Sequence, residues 1–257
     1  MKGVASSVDP SLKLYDLTHD IPAYNIWEAA YRLDQTVPYW PAGTVFVSVV
    51  DPGVGTSRRS VVVKTKTGHF IVSPDNGTLT LIAASLGIDS IREIDEKMNR
   101  RENSEASYTF HGRDVYAFTA AKLASHIIKF EQVGPLSQVP IKSIPYEKAN
   151  FINGLLKGNI DILDIQYGNI WTNIDIHHWN QFKSLPHQKN KILDVIFLLL
   201  LLCQLFFHAE FFQKSYSLLP LLPSLSPLPA PRVQWRPPGR CASACRCSTR
   251  TISLCCQ

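Results

Sequence analysis

Three valine-rich runs, TVFVSVV (44–50), SVVVKT (60–65) and HFIVS (69–73), follow one another with almost nothing between them. Short apolar runs rich in β-branched residues and bounded by turn-formers are strands. A tight turn at Lys66-Thr67-Gly68 joins the last two. Helical patterns alternate with them. KLYDLT (13–18) is a further strand, and NIWEAAYRLDQTV (25–37) has helical period, with Asn25 placed to cap its start. PDNG (74–77) turns the chain into TLTLIAASLG, a helix stopped by Gly87. SIREID (90–95) is a strand, and RDVYAFTAAKLASHIIK (113–129) is the clearest helix, with Val115, Phe118, Ala121 and Leu123 near one face. Alternation of this kind predicts a layered α/β domain to about residue 145. GNIDILDIQYGNIWTNI (158–174) then reads as strand, turn, strand and opens a mainly β segment.

The chain's 257 residues, 45% of them hydrophobic, can bury a sizeable core in one or two domains. Its charge of +5 lies wholly in residues 210–257, which hold six Lys or Arg and one acid; residues 1–209 carry 20 side chains of each sign. A neutral body gives no electrostatic footprint for nucleic acid. All six cysteines (203, 241, 245, 247, 255 and 256) fall in the same late region. The body therefore needs no disulfide framework and suits a reducing compartment. The tail spacings do not match a zinc module. MKGVASSVDPSLKLYD has no apolar core of a signal peptide, so the body reads as cytoplasmic.

VIFLLLLLC (195–203), fenced by Asp194 and His208, falls short of the roughly 20 apolar residues of a spanning helix. It reads as a buried or misfolded segment, with a signal-anchor-like or interfacial segment as the alternative. Beyond it, SLLPLLPSLSPLPAPRVQWRPPGR holds seven of the chain's 17 prolines, and such a stretch reads as extended linker or disorder. The border between the two compositions lies between Asp175 and Ile192.

Two polar knots interrupt the body. In DPGVGTSRR (51–59), Gly53 and Gly55 allow a sharp turn. The plain reading is a strand connector with Asp51 paired to Arg58 at the surface. It is not a dinucleotide fingerprint, because a third glycine and a following helix are missing, and no Gly-Lys-Ser/Thr makes it a P-loop. In TFHGRD (109–114), His111 precedes the long helix and Gly112 gives the backbone room. The field of a helix N-terminus keeps such a ring neutral, ready to accept a proton or orient a water. The plain alternative is a histidine that helps to cap the helix.

DPGVGT-x-RR, SPDNGTLT, TFHGRDVYAFTAAKLA and D-x-x-YGN-x-WTNI occur in this order over roughly residues 1–175. Together they closely resemble the adenosine-forming S-adenosyl-L-methionine (SAM) hydrolases, also called SAM hydroxide adenosyltransferases, kin of the SAM-dependent fluorinase and chlorinase. The resemblance implies a layered α/β N-terminal domain over residues 1–145, the start of a C-terminal β-barrel over 146–176, and a non-family tail over 177–257. It implies that Asp51, Arg58 and His111 hold the attacking water. Arg58 would favour hydroxide character, Asp51 would fix Arg58 and accept from the water, and His111 would take the proton. Tyr24 matches an aromatic position of the ribose pocket, and Gly112 a place where the fluorinase has serine. Asp164 and Asn169, followed by Trp171, match polar substrate-pocket positions of the second domain, and the PDNG turn matches a family turn whose first role is structural. A tyrosine stands at the Asp51 position in the halogenases, so the pattern points to the hydrolase branch. SAM is then substrate, with no cofactor, metal, nucleic acid or membrane partner, and the family assembles as trimers with sites shared between subunits.

The family's first strand and its TDFG-x-x-D-like segment, with the acid that holds the ribose hydroxyls, precede an MKG at which this chain begins. No resemblance continues past about Ile176. Both departures are expected of a faulty gene model, and a sheet lacking that strand would expose unpaired backbone. Hydrolase, halogenase, non-catalytic remnant and membrane-tethered interaction protein are the functions these features leave open.

Overall fold

Val45 and Val47 are buried in one apolar cluster, and Phe46 between them is buried in another. Val62 against Val61 and Val63, and Val72 against Ile71, divide in the same way. Strands whose alternate residues enter two cores must be apolar throughout, which accounts for the valine runs.

The protein is described here from a computed structural model covering residues 1–164, 167–184 and 251–256. In chain order its first unit contains α1 (Lys2–Val8), β1 (Lys13–Thr18), α2 (Ile26–Thr36), β2 (Val45–Val49), β3 (Ser60–Thr65), β4 (Phe70–Pro74), α3 (Thr80–Ser85), β5 (Ile88–Glu93) and α4 (Glu96–Asn99). A π-helical turn, Gly112–Ala117, then runs into α5 (Phe118–Ala124). The second unit, beginning at Tyr146, contains β6 (Asn150–Ile152), β7 (Leu155–Lys157), β8 (Ile160–Asp164), β9 (Asn169–Thr172) and α6 (Ile176–Lys183). The closing strand β10 (Thr251–Cys256) belongs to the first unit again.

The main sheet has the order β1-β10-β2-β4-β3-β5. β1, β10, β2 and β4 run parallel, while β3 is antiparallel to both β4 and β5. Ala5 of α1, and Tyr116, Ala120 and Ala121 of the π turn and α5, pack in the first apolar cluster. Leu33 of α2 and Ile82 of α3 pack in the second. This is the layered α/β arrangement that the alternating periodicity predicts.

The expectation of a sheet missing an interior strand meets a correction. β10 lies between β1 and β2, Leu254 aligned with Asp16 on one side and Val47 on the other, so their backbone groups are paired. The tail from residue 177 is likewise not uniformly extended, since it supplies both β10 and most of α6. The apolar run 195–203 and the proline-rich stretch lie outside the described residues. Among the described residues no helix is long and apolar enough to cross a membrane.

Local signals hold at several element ends. The Asn25 side chain accepts from the Glu28 backbone N–H at 3.0 Å, the N-cap expected of it. Asn25→Ala is expected to lower stability by about 1 kcal/mol, read as a fall in Cm during urea denaturation at unchanged m-value. Gly87 ends α3 in the left-handed region at φ +68°. The long helix differs from its prediction. His126 at φ +61° reverses the chain after Ala124, and this turn carries Ile128 back into the core beside Phe130.

In the second unit, β6 and β7 form a hairpin whose turn is Asn153-Gly154, both at positive φ (52° and 76°). That is the preferred chemistry of a two-residue turn of type I′. β8 and β9 pair antiparallel, with Asp164 opposite Asn169. The expected start of a barrel is found only as these two separate hairpins, each a two-stranded sheet. Closure needs a continuous ladder, and none joins them among the described residues. Asp175 caps α6 by accepting from the His178 N–H at 2.8 Å.

Candidate active site

After β2 the chain leaves the sheet at Val50, which is buried with Ile21 and Ala29, and reaches Asp51. Two overlapping turns follow. The Val54 N–H donates to the Asp51 carbonyl at 3.2 Å, and the Thr56 N–H donates to the Gly53 carbonyl at 3.1 Å. Gly55, at φ +78°, takes the conformation that a side chain resists. The loop therefore folds back on itself and brings Arg58 beside Asp51.

Arg58 Nε donates to both Asp51 oxygens, at 2.8 and 2.9 Å, and Nη2 donates to Oδ2 as well. Nη1 donates to Ser60 Oγ at 2.9 Å, and that hydroxyl shares a hydrogen bond of 3.0 Å with the Tyr116 hydroxyl. The guanidinium also lies over the Tyr116 ring, 5.6 Å from its centroid. The surface pair of the plain reading is thus a buried one: the Arg58 and Asp51 side chains are 9% and 4% exposed. Burial pushes the Tyr116 phenol well above its usual range, so the hydroxyl stays protonated.

His111 sits at the head of the π turn, and its side chain makes no capping bond. Its Nδ1 is 2.9 Å from Arg58 Nη2, and its Nε2 is 3.0 Å from Arg100 Nη2. Arg100 Nε and Nη2 donate to Glu96 Oε2 at 3.1 and 2.6 Å, and the guanidinium lies 4.7 Å from the centre of the Tyr108 ring. Desolvation lowers the imidazole pKa; Glu96 opposes it, Arg58 and Arg100 reinforce it, and Asp51 opposes it more weakly. Burial and the two guanidinium groups thus favour the neutral ring, and the plain alternative of a capping histidine is not met.

The remaining expected residues are placed as follows. A Cβ on Gly112 would meet Val49 Cγ1 at 3.1 Å, so the glycine permits a close approach of the turn to β2. Tyr24 is exposed, at φ +66°, in the connection between β1 and α2, with Ile21 of that connection and Ile26 at the start of α2 packed near Val50. Asp164 and Asn169 face each other across the β8–β9 hairpin, and Trp171 Nε1 donates to Asp164 Oδ2 at 3.2 Å. The structure thus brings Asp51, Arg58 and His111 into one buried chain and places Asp164 and Asn169 on the second unit. Asn76 of the PDNG turn has the structural role expected: it donates to the Val50 carbonyl at 2.8 Å and anchors the end of β2.

Sequence reasoning missed Arg100, Glu96, Ser60 and Tyr116. Glu96 and Arg100 stand four apart, a spacing that ordinarily marks a solvated helix pair, yet the Arg100 side chain is only 5% exposed. Ser60 and Tyr116 carry no signal beyond ordinary strand and helix composition. Among the described residues no group of three metal-ligating side chains is close enough to hold an ion.

A family model described as the SAM hydroxide adenosyltransferase N-terminal domain matches residues 1–134. An (R)-S-adenosyl-L-methionine hydrolase of Methanocaldococcus jannaschii is 42% identical over 127 residues, covering 48% of this chain and 46% of that protein. The hydrolase of the same name from Thermus thermophilus is 36% identical over 152 residues, 56% of each chain. A fluorinase from an Actinoplanes species is 27% identical over 196 residues, 67% of this chain and 65% of that one. The chain spans about half the length of the curated hydrolases it matches. The crystal structure of an uncharacterized conserved protein from Thermotoga maritima superposes with a TM-score of 0.67 at 35% identity, over 72% of this chain and 68% of that one.

Proposed function

The chain belongs to the SAM hydroxide adenosyltransferase family, and from that premise we propose that it hydrolyses S-adenosyl-L-methionine to adenosine and methionine. The observation that carries this reading is the buried contact of Asp51, Arg58 and His111 where the chain leaves β2. Water attacks the ribose C5′ in line with the sulfonium. The C5′–S bond breaks, methionine leaves as a neutral thioether, and one proton is released for each substrate consumed. No metal or cofactor is needed, because the leaving group departs uncharged.

The difficulty of the step is orientation, and fixed geometry can supply about 7–11 kcal/mol of the barrier in favourable cases. Arg58 places a positive charge where hydroxide character develops, and the Asp51 carboxylate both holds Arg58 and offers an acceptor to the water. His111 is the proton acceptor only after one guanidinium turns aside, since each ring nitrogen faces one at about hydrogen-bond distance. Transfer through Asp51 needs no such rearrangement. Tyr24, Gly112, Asp164 and Asn169 are proposed as substrate-binding positions, within a trimeric cytoplasmic enzyme.

Incubation of the purified chain with SAM, followed by chromatography, tests the reading. Adenosine and methionine are expected in equal amounts, in chloride-containing and chloride-free buffer alike. A 5′-chloro nucleoside would replace the hydrolase reading with a halogenase one, and a folded sample that leaves SAM intact would reduce the chain to a non-catalytic relative.

A further inference from the structure

His111 joins two arrangements of the same form. On one side Arg58 grips Asp51 through Nε and Nη2 and turns its Nη2 toward Nδ1. On the other, Arg100 grips Glu96 through Nε and Nη2 and turns its Nη2 toward Nε2. A guanidinium only donates, and a neutral imidazole has a single acceptor nitrogen. The ring therefore accepts from one arginine at a time, while its N–H faces the other. An imidazolium, with no acceptor, would confront both.

We propose that Arg100, held by Glu96, is a positioning residue of the active site that fixes the His111 ring from the side opposite Arg58. This rests on the active-site reading given above. Arg100 is placed for the purpose by three independent contacts: the Glu96 carboxylate of α4, the face of Tyr108, and the ring itself. Its side chain is nearly inaccessible, so solvent screens little of the interaction. Tyr108 and Tyr116 bracket the imidazole edge-on, with centroids 5.9 and 6.4 Å away, leaving the two guanidinium directions as its polar contacts. The groups that set its charge are Asp51 and Arg58 beside β2 and β3, Glu96 on α4, and Arg100 just beyond it. The result is a carboxylate–arginine–imidazole–arginine–carboxylate chain in which the tautomer of one ring reports which arginine holds it.

The test is the ring ¹⁵N spectrum of His111 in the full chain across a pH series, with the resonance assigned by its loss in His111→Gln. Arg100→Gln is expected to raise the midpoint of His111 protonation, because a nearby positive charge is gone. Glu96→Gln is expected to move it the opposite way. Each should change the ratio of the two neutral tautomers. In SAM turnover, Arg100→Gln should lower kcat by up to about 10²-fold through a misplaced ring. Should Arg100→Gln not fold, Glu96→Gln, at a partly exposed position, decides the question. Midpoint and tautomer ratio unmoved in the folded variants would overturn the proposal and leave Arg100 a structural residue. If the spectra shift as expected while the parent chain turns over no SAM, the hydrolase reading fails and the positioning role stands.

Discussion

Arg58→Met is expected to lower adenosine formation from SAM by about 10²–10³-fold, the usual effect of deleting one electrostatic contact to developing charge. Arg58 touches both Asp51 and His111, so the substitution removes a charge and separates two acceptors in one step. It also leaves Asp51, 4% exposed, without its counter-ion. Stranding a buried charge in this way costs about 3–5 kcal/mol of stability. Activity and stability must therefore be read separately. Chromatography of adenosine gives the first, and urea denaturation gives the second. In the double variant Asp51→Asn/Arg58→Met the stranded charge is gone, so stability is expected to recover in part while turnover stays lost. Recovery of turnover in the double variant would show that the pair is structural and that the chemistry lies elsewhere.

Gly134→Ala is expected to be the most damaging single methyl in the first unit. A Cβ there would stand 2.0 Å from the Glu93 carbonyl oxygen and 2.8 Å from the Asp95 nitrogen. Both are backbone atoms, and both strands of chain are tied. The Glu93 N–H donates to the Pro135 carbonyl, the Asp95 N–H to the Val133 carbonyl, and the Ser137 N–H to the Ile91 carbonyl. Arg92 further clamps the segment by donating to the Gly134 carbonyl at 2.6 Å. No side chain can yield, so the segment must peel from β5. A loss of about 3 kcal/mol is expected, at the upper end of ordinary substitutions. Thermal unfolding followed by circular dichroism would measure it, and an unchanged Tm would mean that this segment does not hold the β5 edge.

What could be read from the residues, and what could not, follows from the range of the forces involved. Asn25, Gly87 and the valine runs act locally or through period, so their roles are visible in a short window. The Asn153-Gly154 hairpin is equally legible by its turn chemistry. Asp51, Arg58 and His111 were found through the resemblance of their motifs, but their burial was not, because it depends on Ser60 and Tyr116 meeting 56 positions apart. Arg100 illustrates the same limit. Its i,i+4 partner is evident, whereas its second contact, to His111, arises only when the connection through Tyr108 folds over it. The interior placement of β10 was beyond any local argument. Nothing in TISLCC distinguishes a strand that ends a tail from one that enters a sheet between partners so distant in the chain.

That placement bears on how the protein is made. A ribosome releases β1 and β2 long before it synthesises Thr251–Cys256, so the nascent sheet carries two open strand borders while the intervening residues are made. Contacts between segments so far apart in sequence close slowly. Open borders meanwhile invite pairing with other chains. The yield of folded protein should thus depend on nascent-chain shielding and on growth temperature more than on the final stability of the sheet.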